Sequence, residues 1–371
     1  MRIVIAAAGT GGHINPGIAI ANKVMEKDKK SSVLFIGTNR GLENDLVPRA
    51  GYKLKTIRAY GIERKFTLEN IRRLYYTLRS VSEAKKILRE FNPNVVIGTG
   101  GYICMPVMLA AKSLKIPTML HESNAFPGVS VKLLSKKVDT VLVGFEDAKK
   151  RLPKAKNVVV TGNPTKIKKL NLTKNKKAEI IKQMGLSDSM PIVLAFGGSQ
   201  GAQSINESLI EIIIKKRNTN YQIMWAAGPS QYDYIKNRLK KQKMNIENLT
   251  NVKIVPYIYN MEEVMNVADL IVCRSGAMTI TEVSIVGKPA IFIPFPYATE
   301  NHQEYNAMVL ENAGAARIIL DKDLNSDILQ NEIASLVSSK EKLQEMGRKA
   351  NECATKNTEE KIYYEIEWAM K

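Results

Sequence analysis

The sequence predicts an α/β protein made of two similar domains, each a parallel sheet covered by helices on both faces. Three observations carry this. Short apolar, β-branched runs alternate with helix-length segments along all 371 residues. Each half opens with a strand that runs into a glycine turn, Gly9-Thr10-Gly11-Gly12 in the first and Gly197-Gly198-Ser199-Gln200-Gly201 in the second. Between the halves lies a lysine-rich, weakly patterned segment, Thr165 to Lys177, which reads as a linker or its edge.

Arg2 to Ala8 is continuously apolar after its first residue, the mark of a strand buried on both faces. The glycine turn and His13 follow, and Pro16 is expected to open a helix running to about Lys27. Strand, glycine turn and helix in this order aim backbone N–H groups at an anion. Ile14 stands where the dinucleotide pattern requires its last glycine, and no acid ends the strand at 32–37, which discounts NAD. Further strands are expected near 53–58, 94–98, 117–121, 139–143 and 157–161. Gly98 to Gly101 forms a second glycine turn, and His121-Glu122-Ser123-Asn124 follows the next strand. Loops at the carboxyl ends of parallel strands line the ligand crevice, so these three segments should share one rim.

Arg64 to Arg89 holds eight basic and two acidic residues. Ile71, Leu74, Tyr75 and Leu78 recur at helical spacing beside Arg72, Arg73 and Arg79. Such a helix either lies on an anionic membrane surface or turns its stripe to the core and its charges to water.

In the second half, Pro191 to Phe196 is a strand, and the helix after its glycine turn begins near Ser204. Strands near 221–226 and 251–255 lead to Tyr257-Ile258, where backbone can meet a base. Then comes the richest block, Cys273 to Ala307. A strand (Asp269 to Cys273) enters the turn Arg274-Ser275-Gly276, and a helix from Thr279 to Val286 follows, carrying Thr281 and Glu282. A strand from Lys288 to Pro294 then leads to a polar loop with His302, Gln303 and Asn306. The block reads as a nucleotide-sugar pocket: anion at the helix start, ribose at Glu282, sugar hydroxyls at Gln303. An ordinary αβ repeat with solvated polar ends shares much of this pattern. Asp321-Lys322-Asp323 superficially matches a metal-binding DxD but reads as a polar loop capping a helix. The tail, Asn357 to Lys371, is a helix with Ile362, Tyr363, Ile366 and Met370 on one stripe.

Composition bounds the function. No apolar run approaches the roughly 18 residues that span a bilayer, and the N-terminus lacks a signal-peptide layout. Three scattered cysteines argue against a disulfide framework or zinc site, and the protein is expected in the cytoplasm. A net charge of +19 calls for an anionic partner or reflects a lysine-rich genome. Nucleic acid is disfavoured: aromatics make up only 6% and no base-reading motif is present.

Taken together, GTGGHINP (Gly9–Pro16), GTGGY (Gly98–Tyr102), HESN (His121–Asn124), TGNP (Thr161–Pro164), GGSQGA (Gly197–Ala202), CRSGAMTITE and HQEYNA closely resemble the family 28 glycosyltransferases. These are the bacterial N-acetylglucosaminyltransferases that convert lipid I to lipid II. The resemblance covers nearly the whole chain. It departs at Ser123, where relatives commonly carry glutamine, and at Lys166, where an arginine is expected.

The resemblance implies a GT-B fold, two Rossmann-like domains with parallel sheets facing across a cleft. Residues 1–163 would meet acceptor and membrane, 164–356 would bind UDP-GlcNAc, and 357–371 would pack back on the first domain. It implies inverting transfer of GlcNAc to the MurNAc 4-hydroxyl of undecaprenyl-diphospho-MurNAc-pentapeptide, with no tightly held metal or other cofactor. By motif, Ser199 meets the diphosphate and Ile258 the uracil. Ala277, Met278, Thr279, Ile280, Thr281 and Glu282 line the nucleotide, and Lys166 supplies positive charge. Gln303 and Asn124 reach the sugar, and Thr10, Gly11 and Gly12 approach from the other wall. His13 is the first candidate for general base and Glu122 the second. The stripe and arginines of Arg64–Arg89 would touch anionic lipid at the cytoplasmic face of the membrane. A UDP-GlcNAc 2-epimerase or a diacylglycerol glycosyltransferase is the alternative within the same fold.

Overall fold

The computed structural model describes residues 1–60, 68–198 and 201–371, with side chains given except at 68–75, 77 and 78. The chain divides into two compact units. Unit one comprises Met1–Lys166 and Thr355–Lys371, and unit two Ile167–Ala354.

Unit one runs β1 (Arg2–Ala7), α1 (Gly11–Lys27), β2 (Ser32–Gly37), α2 (Glu43–Arg49), β3 (Lys53–Thr56), α3 (Leu68–Phe91), β4 (Val95–Gly100), α4 (Cys104–Ser113), β5 (Thr118–Glu122), α5 (Val129–Leu134), β6 (Thr140–Val143), α6 (Glu146–Lys150) and β7 (Val158–Val160). Its described strands form one parallel sheet in the order β3-β2-β1-β4-β5-β6-β7. Alternation along β1 shows why the strand reads as unbroken apolar sequence. Ile3, Ile5 and Ala7 pack on Ile14, Ile18 and Val24 of α1, while Val4 and Ala6 pack with Ala84 and Leu88 of α3 and Val107 and Met108 of α4. Each such side chain contributes about 1.5–3 kcal/mol by leaving water, so a sheet with two covered faces stabilises itself at every position.

Unit two runs α7 (Lys174–Gln183), β8 (Ile192–Phe196), α8 (Gln203–Ile214), β9 (Gln222–Ala226), α9 (Pro229–Lys241), β10 (Val252–Val255), α10 (Met261–Val267), β11 (Leu270–Cys273), α11 (Ala277–Val286), β12 (Ala290–Phe292), α12 (His302–Asn312), β13 (Ala316–Ile318), α13 (Ser326–Val337) and α14 (Lys340–Glu352). Its parallel sheet has the order β10-β9-β8-β11-β12-β13. Val193 and Ala195 of β8 pack with Ile205 and Leu209 of α8 and Leu329 and Ile333 of α13.

The last helix, α15 (Thr358–Ala369), belongs to unit one. Ile362, Tyr363 and Ile366 join the α1 face of the core, and Lys23 pairs with Glu360 at 2.7 Å. Gly162 makes this docking close. Its φ is +85°, and a Cβ there would lie 2.5 Å from Thr358 Oγ1 and 2.6 Å from Thr355 Cβ.

Three of the boundaries that differ from the sequence expectation have a local reason. Helix α1 starts at Gly11 rather than Pro16. Pro16 gives up only its bond to the Gly12 carbonyl, at the exposed start of the helix, so the proline is tolerated. Strand β12 is shorter than Lys288 to Pro294, because Pro289 and Pro294 have no N–H to donate to a ladder. The linker stretch ends in α7, whose first turn is capped by the Thr173 hydroxyl accepting from Lys176 N–H.

Candidate functional site

Both sheets are doubly wound, and the strand order reverses at one point in each: between β1 and β4 in unit one, and between β8 and β11 in unit two. Ligands of such sheets bind beyond the carboxyl ends of the strands at that point. The glycine turns at Gly9–Gly12 and Gly98–Gly101 leave β1 and β4, whereas Gly197–Gly201 and Arg274–Gly276 leave β8 and β11. All four motifs therefore flank a switch point.

In unit one the two turns close around His13. A Cβ on Gly100, whose φ is +123°, would sit 2.3 Å from His13 Cδ2. A Cβ on Gly101, φ +81°, would sit 2.7 Å from the Ala8 carbonyl oxygen. Glycine at both positions is thus a space requirement set by the imidazole and the turn beneath it. His13 Nδ1 lies 3.2 Å from the Ala8 carbonyl oxygen, and the Thr99 hydroxyl donates to the His13 carbonyl at 2.8 Å. A carbonyl only accepts, so Nδ1 carries the proton of the neutral ring and Nε2 holds the basic lone pair. Thr10, Gly11 and Gly12 form the start of α1, with Thr10 and Gly12 exposed and no side-chain cap at Thr10.

The HESN segment is built differently. His121 is buried, and burial pushes its pKa down to about 4, so the ring is neutral. Nε2–H donates to the Gly162 carbonyl at 3.2 Å, and Nδ1 faces Ser123 Oγ at 3.4 Å. Asn163 Nδ2 donates to the Ser123 carbonyl at 2.9 Å, so HESN and TGNP brace one another. Glu122, 5% exposed, uses both carboxylate oxygens within its own loop. One accepts from Asn124 N–H (2.9 Å) and Nδ2 (3.0 Å), the other from Gly128 N–H (2.8 Å). The second base candidate thus holds the loop that carries Asn124. Lys166 is exposed at the end of the first chain segment of unit one.

In unit two, α8 and α11 begin beside each other because β8 and β11 pair directly. Their N-caps, Ala202 and Gly276, make no side-chain cap bond, so the first-turn N–H groups of both helices have no intrahelical or N-cap side-chain partner among the described residues. The turn before α8 is tight: a Cβ on Gly201, φ +79°, would lie 2.3 Å from the Ala227 carbonyl oxygen. Ser199 lies outside the described residues. Ala277, Met278 and Thr279 occupy the first turn of α11, and Thr281 and Glu282 the next. The Ile280 side chain is fully buried and its N–H donates to the Gly276 carbonyl at 3.0 Å, so its side chain packs in the core. The Thr281 hydroxyl donates to the Ala277 carbonyl at 3.0 Å. Ile258 is buried between exposed Tyr257 and Tyr259, whose rings meet edge-on at 5.0 Å. Gln303 Oε1 accepts from Phe295 N–H at 3.0 Å, which makes Nε2 its donor end.

Two arrangements were not legible in the sequence. Asp321, read as part of a capping loop, instead pairs with Arg274, the two side chains being 20% and 12% exposed. Arg274 also donates to the carbonyls of Ile293 (3.0 Å) and Pro294 (3.2 Å) and to Ser204 Oγ (3.0 Å), and Ser204 Oγ donates to Asp321 at 2.6 Å. One ion pair thereby ties the ends of β11 and β12 to the first turn of α8. The cap of α13 is Asn325, which accepts from Asp327 and Ile328 N–H. In unit one, Glu43 is fully buried under the first glycine turn, accepting from Gly9 N–H (3.0 Å), Thr38 N–H (2.9 Å) and the Thr38 hydroxyl (2.7 Å). Among the described residues, no group of three or more His, Cys, Asp or Glu side chains is placed to hold a metal ion.

Of the membrane-face candidates, Ile71, Arg72, Arg73, Leu74, Tyr75 and Leu78 lie on α3 with side chains outside the described set; Arg79 is exposed. No helix among the described residues is long and apolar enough to cross a membrane.

Residues 3–143 match the glycosyltransferase family 28 N-terminal domain, and residues 192–362 match the family 28 C-terminal domain. The chain is 44% identical to the UDP-N-acetylglucosamine--N-acetylmuramyl-(pentapeptide) pyrophosphoryl-undecaprenol N-acetylglucosamine transferase of Caldanaerobacter subterraneus subsp. tengcongensis, over 98% of both chains. It is 42% identical to the enzyme of the same name from Acetivibrio thermocellus, over 100% of this chain and 99% of that one. Its fold superposes on the crystal structure of MurG from Acinetobacter baumannii with a TM-score of 0.79, at 28% identity over 99% of each chain. Two Rossmann-like sheets with glycine turns at their switch points, matched along both halves, establish that the chain belongs to glycosyltransferase family 28 and has the GT-B class of fold.

Proposed function

We propose that the protein transfers GlcNAc from UDP-GlcNAc to the MurNAc 4-hydroxyl of undecaprenyl-diphospho-MurNAc-pentapeptide, converting lipid I to lipid II, with inversion at the anomeric carbon. The names of relatives at 44% and 42% identity over nearly their full length support the substrates. The observation that carries the mechanism is the clamp on His13: with Nδ1 turned to the Ala8 carbonyl, Nε2 is the basic nitrogen. The acceptor 4-hydroxyl oxygen attacks the anomeric carbon and its proton passes to His13 Nε2. The anomeric C–O bond to UDP breaks, and its electron pair leaves on the diphosphate. The N-termini of α8 and α11 stabilise that charge with first-turn N–H groups and their aligned dipoles. Glu282 takes the ribose, the backbone at Ile258 the uracil, and Gln303 and Asn124 the sugar, with Lys166 adding positive charge.

The occupied carboxylate of Glu122 favours a positioning role for it and leaves the base to His13. Thr10, Gly11 and Gly12 approach the donor sugar from the wall that unit one supplies. The basic helix α3 contacts anionic inner-leaflet lipid, each basic residue contributing about 1 kcal/mol near the surface, which places the enzyme peripherally on the cytoplasmic face. The test is transfer of radiolabelled GlcNAc to a lipid I analogue, with a diacylglycerol acceptor and no acceptor in parallel, by the parent and by His13→Ala. A lipid II-like product, cut about 10²–10⁴-fold in the variant, is expected. Label on diacylglycerol, or conversion of the donor without acceptor, overturns the reaction. Full turnover in the variant removes His13 from the role of base.

A further inference from the structure

The Ala8–Gly9 peptide group has a partner at each end. Its N–H donates to the Glu43 carboxylate at 3.0 Å, and its carbonyl accepts from His13 Nδ1 at 3.2 Å. We propose that Glu43 is a positioning residue for the transfer reaction, acting through this one peptide group to orient His13 and raise the basicity of Nε2. The arrangement is a carboxylate–histidine pair with a peptide unit interposed.

The physical argument has three parts. An anion accepting from a peptide N–H polarises the amide, so its carbonyl becomes a stronger acceptor. A stronger acceptor at Nδ1–H favours the imidazolium over the neutral ring, which is what a general base needs when it takes a proton. The geometry is also rigid. Glu43 is fully buried, a Cβ on Gly41 would sit 2.0 Å from its carboxylate, and a Cβ on Gly37 would sit 2.7 Å from its Cγ. The chain is cut away on both sides to admit this side chain. Burial works to raise the Glu43 pKa, but the Thr38 hydroxyl and the Gly9 and Thr38 N–H groups outweigh it and hold the carboxyl below the ordinary range. It is therefore charged at neutral pH.

Among the described titratable groups around the turn, Cys104 of α4 bonds Gly100 through its thiol, and burial pushes it up to about 12, so it carries no charge. Arg40, three residues before Glu43, is turned to the Ala59 carbonyl at 3.0 Å and the Tyr60 ring at 4.0 Å. Glu122 also acts on Cys104 through space, but among the described residues the charged side chain hydrogen-bonded to the peptide group is Glu43.

The catalytic consequence rests on the reading of His13 as base, and the experiment separates the two. The chain has three histidines, so ring-labelled protein gives three resonances, assigned with His13→Ala and compared between parent and Glu43→Gln. The expected result is a His13 pKa about 0.5–1 unit lower in the variant, with His302 unmoved. The low-pH limb of kcat/KM should move by the same amount, and kcat should fall about tenfold with KM for UDP-GlcNAc within about twofold. An unchanged His13 pKa in folded Glu43→Gln overturns the coupling. If His13→Ala retains full turnover while the pKa shift is present, the base assignment fails and the coupling stands. Should Glu43→Gln not fold, the parent answers the question. Its Gly9 amide proton should move downfield as His13 protonates, and a Gly9 resonance indifferent to that titration overturns the proposal.

Discussion

Replacing Gly100 with alanine displaces the His13 ring without altering the histidine itself. The new Cβ would lie 2.3 Å from Cδ2 and 2.9 Å from Cγ of His13. Carbon atoms in ordinary contact stand about 3.5–4.0 Å apart, so the ring must retreat by about 1 Å or more. Retreat breaks the Nδ1 bond to Ala8, worth about 0.5–1.5 kcal/mol. A non-glycine residue at φ +123° adds strain of about 1–3 kcal/mol. Gly100→Ala should therefore lose about 2–4 kcal/mol of stability, read as a lowered urea midpoint in unit one. Turnover should fall about 10²-fold or more, the usual effect of a catalytic group misplaced by about 1 Å. UDP affinity, measured by calorimetry, should hold, since the proposed donor contacts at α8 and α11 belong to unit two. A folded Gly100→Ala protein with turnover within about threefold of the parent would refute the claim that His13 is held in working position by the second glycine turn.

Other perturbations read other parts of the molecule. Asp321→Ala leaves the largely buried Arg274 guanidinium without its counter-charge but with its bonds to Ile293, Pro294 and Ser204, and should cost about 1–3 kcal/mol, with weaker UDP binding as α8 loosens; an unchanged urea midpoint contradicts this. Burial lowers the Lys288 pKa from 10.5 to about 8. The unfolded chain then binds more protons between those values, so stability should rise with pH across that window. Lys288→Met should abolish the rise and stabilise the protein by about 1–3 kcal/mol at neutral pH; an identical pH profile contradicts it. His121, lowered from 6.5 to about 4, has the same sign in a different window. Stability should fall by about 3 kcal/mol as pH drops through it, and His121→Gln should flatten that acid limb in denaturant titrations. Serine at Ile71, Leu74 and Leu78 should weaken binding to anionic liposomes, whereas unchanged binding assigns the stripe to the core.

The double α/β scheme was legible because buried parallel strands are apolar at every position, and because Gly9–Gly12 and Gly197–Gly201 punctuate strand and helix at corresponding places. His13 stood out because an imidazole titrates near neutrality and this one stands in a glycine turn at the carboxyl end of a strand. Glu43 did not. Its short segment looks like a solvated helix start, and the space that admits it is made by Gly37 and Gly41, whose cramped surroundings exist only in three dimensions. The Arg274–Asp321 pair was hidden for the same reason: 47 positions separate the partners, and an acid in a polar loop resembles a cap. That the Ile280 side chain turns into the core was also hidden, because a motif read residue by residue does not register which side of a helix faces inward.

Helix α15 completes the core of unit one from the far side of unit two in the chain. During synthesis, at about 5–20 residues per second, the first 166 residues emerge and then wait about 10–40 s while the whole of unit two is made. Throughout that interval the α1 face lacks Ile362, Tyr363 and Ile366. Nascent unit one therefore leaves the ribosome with an open apolar furrow, while unit two, continuous in the chain, can fold ahead of it. Unit one therefore reaches its finished core only after the whole of unit two has been translated.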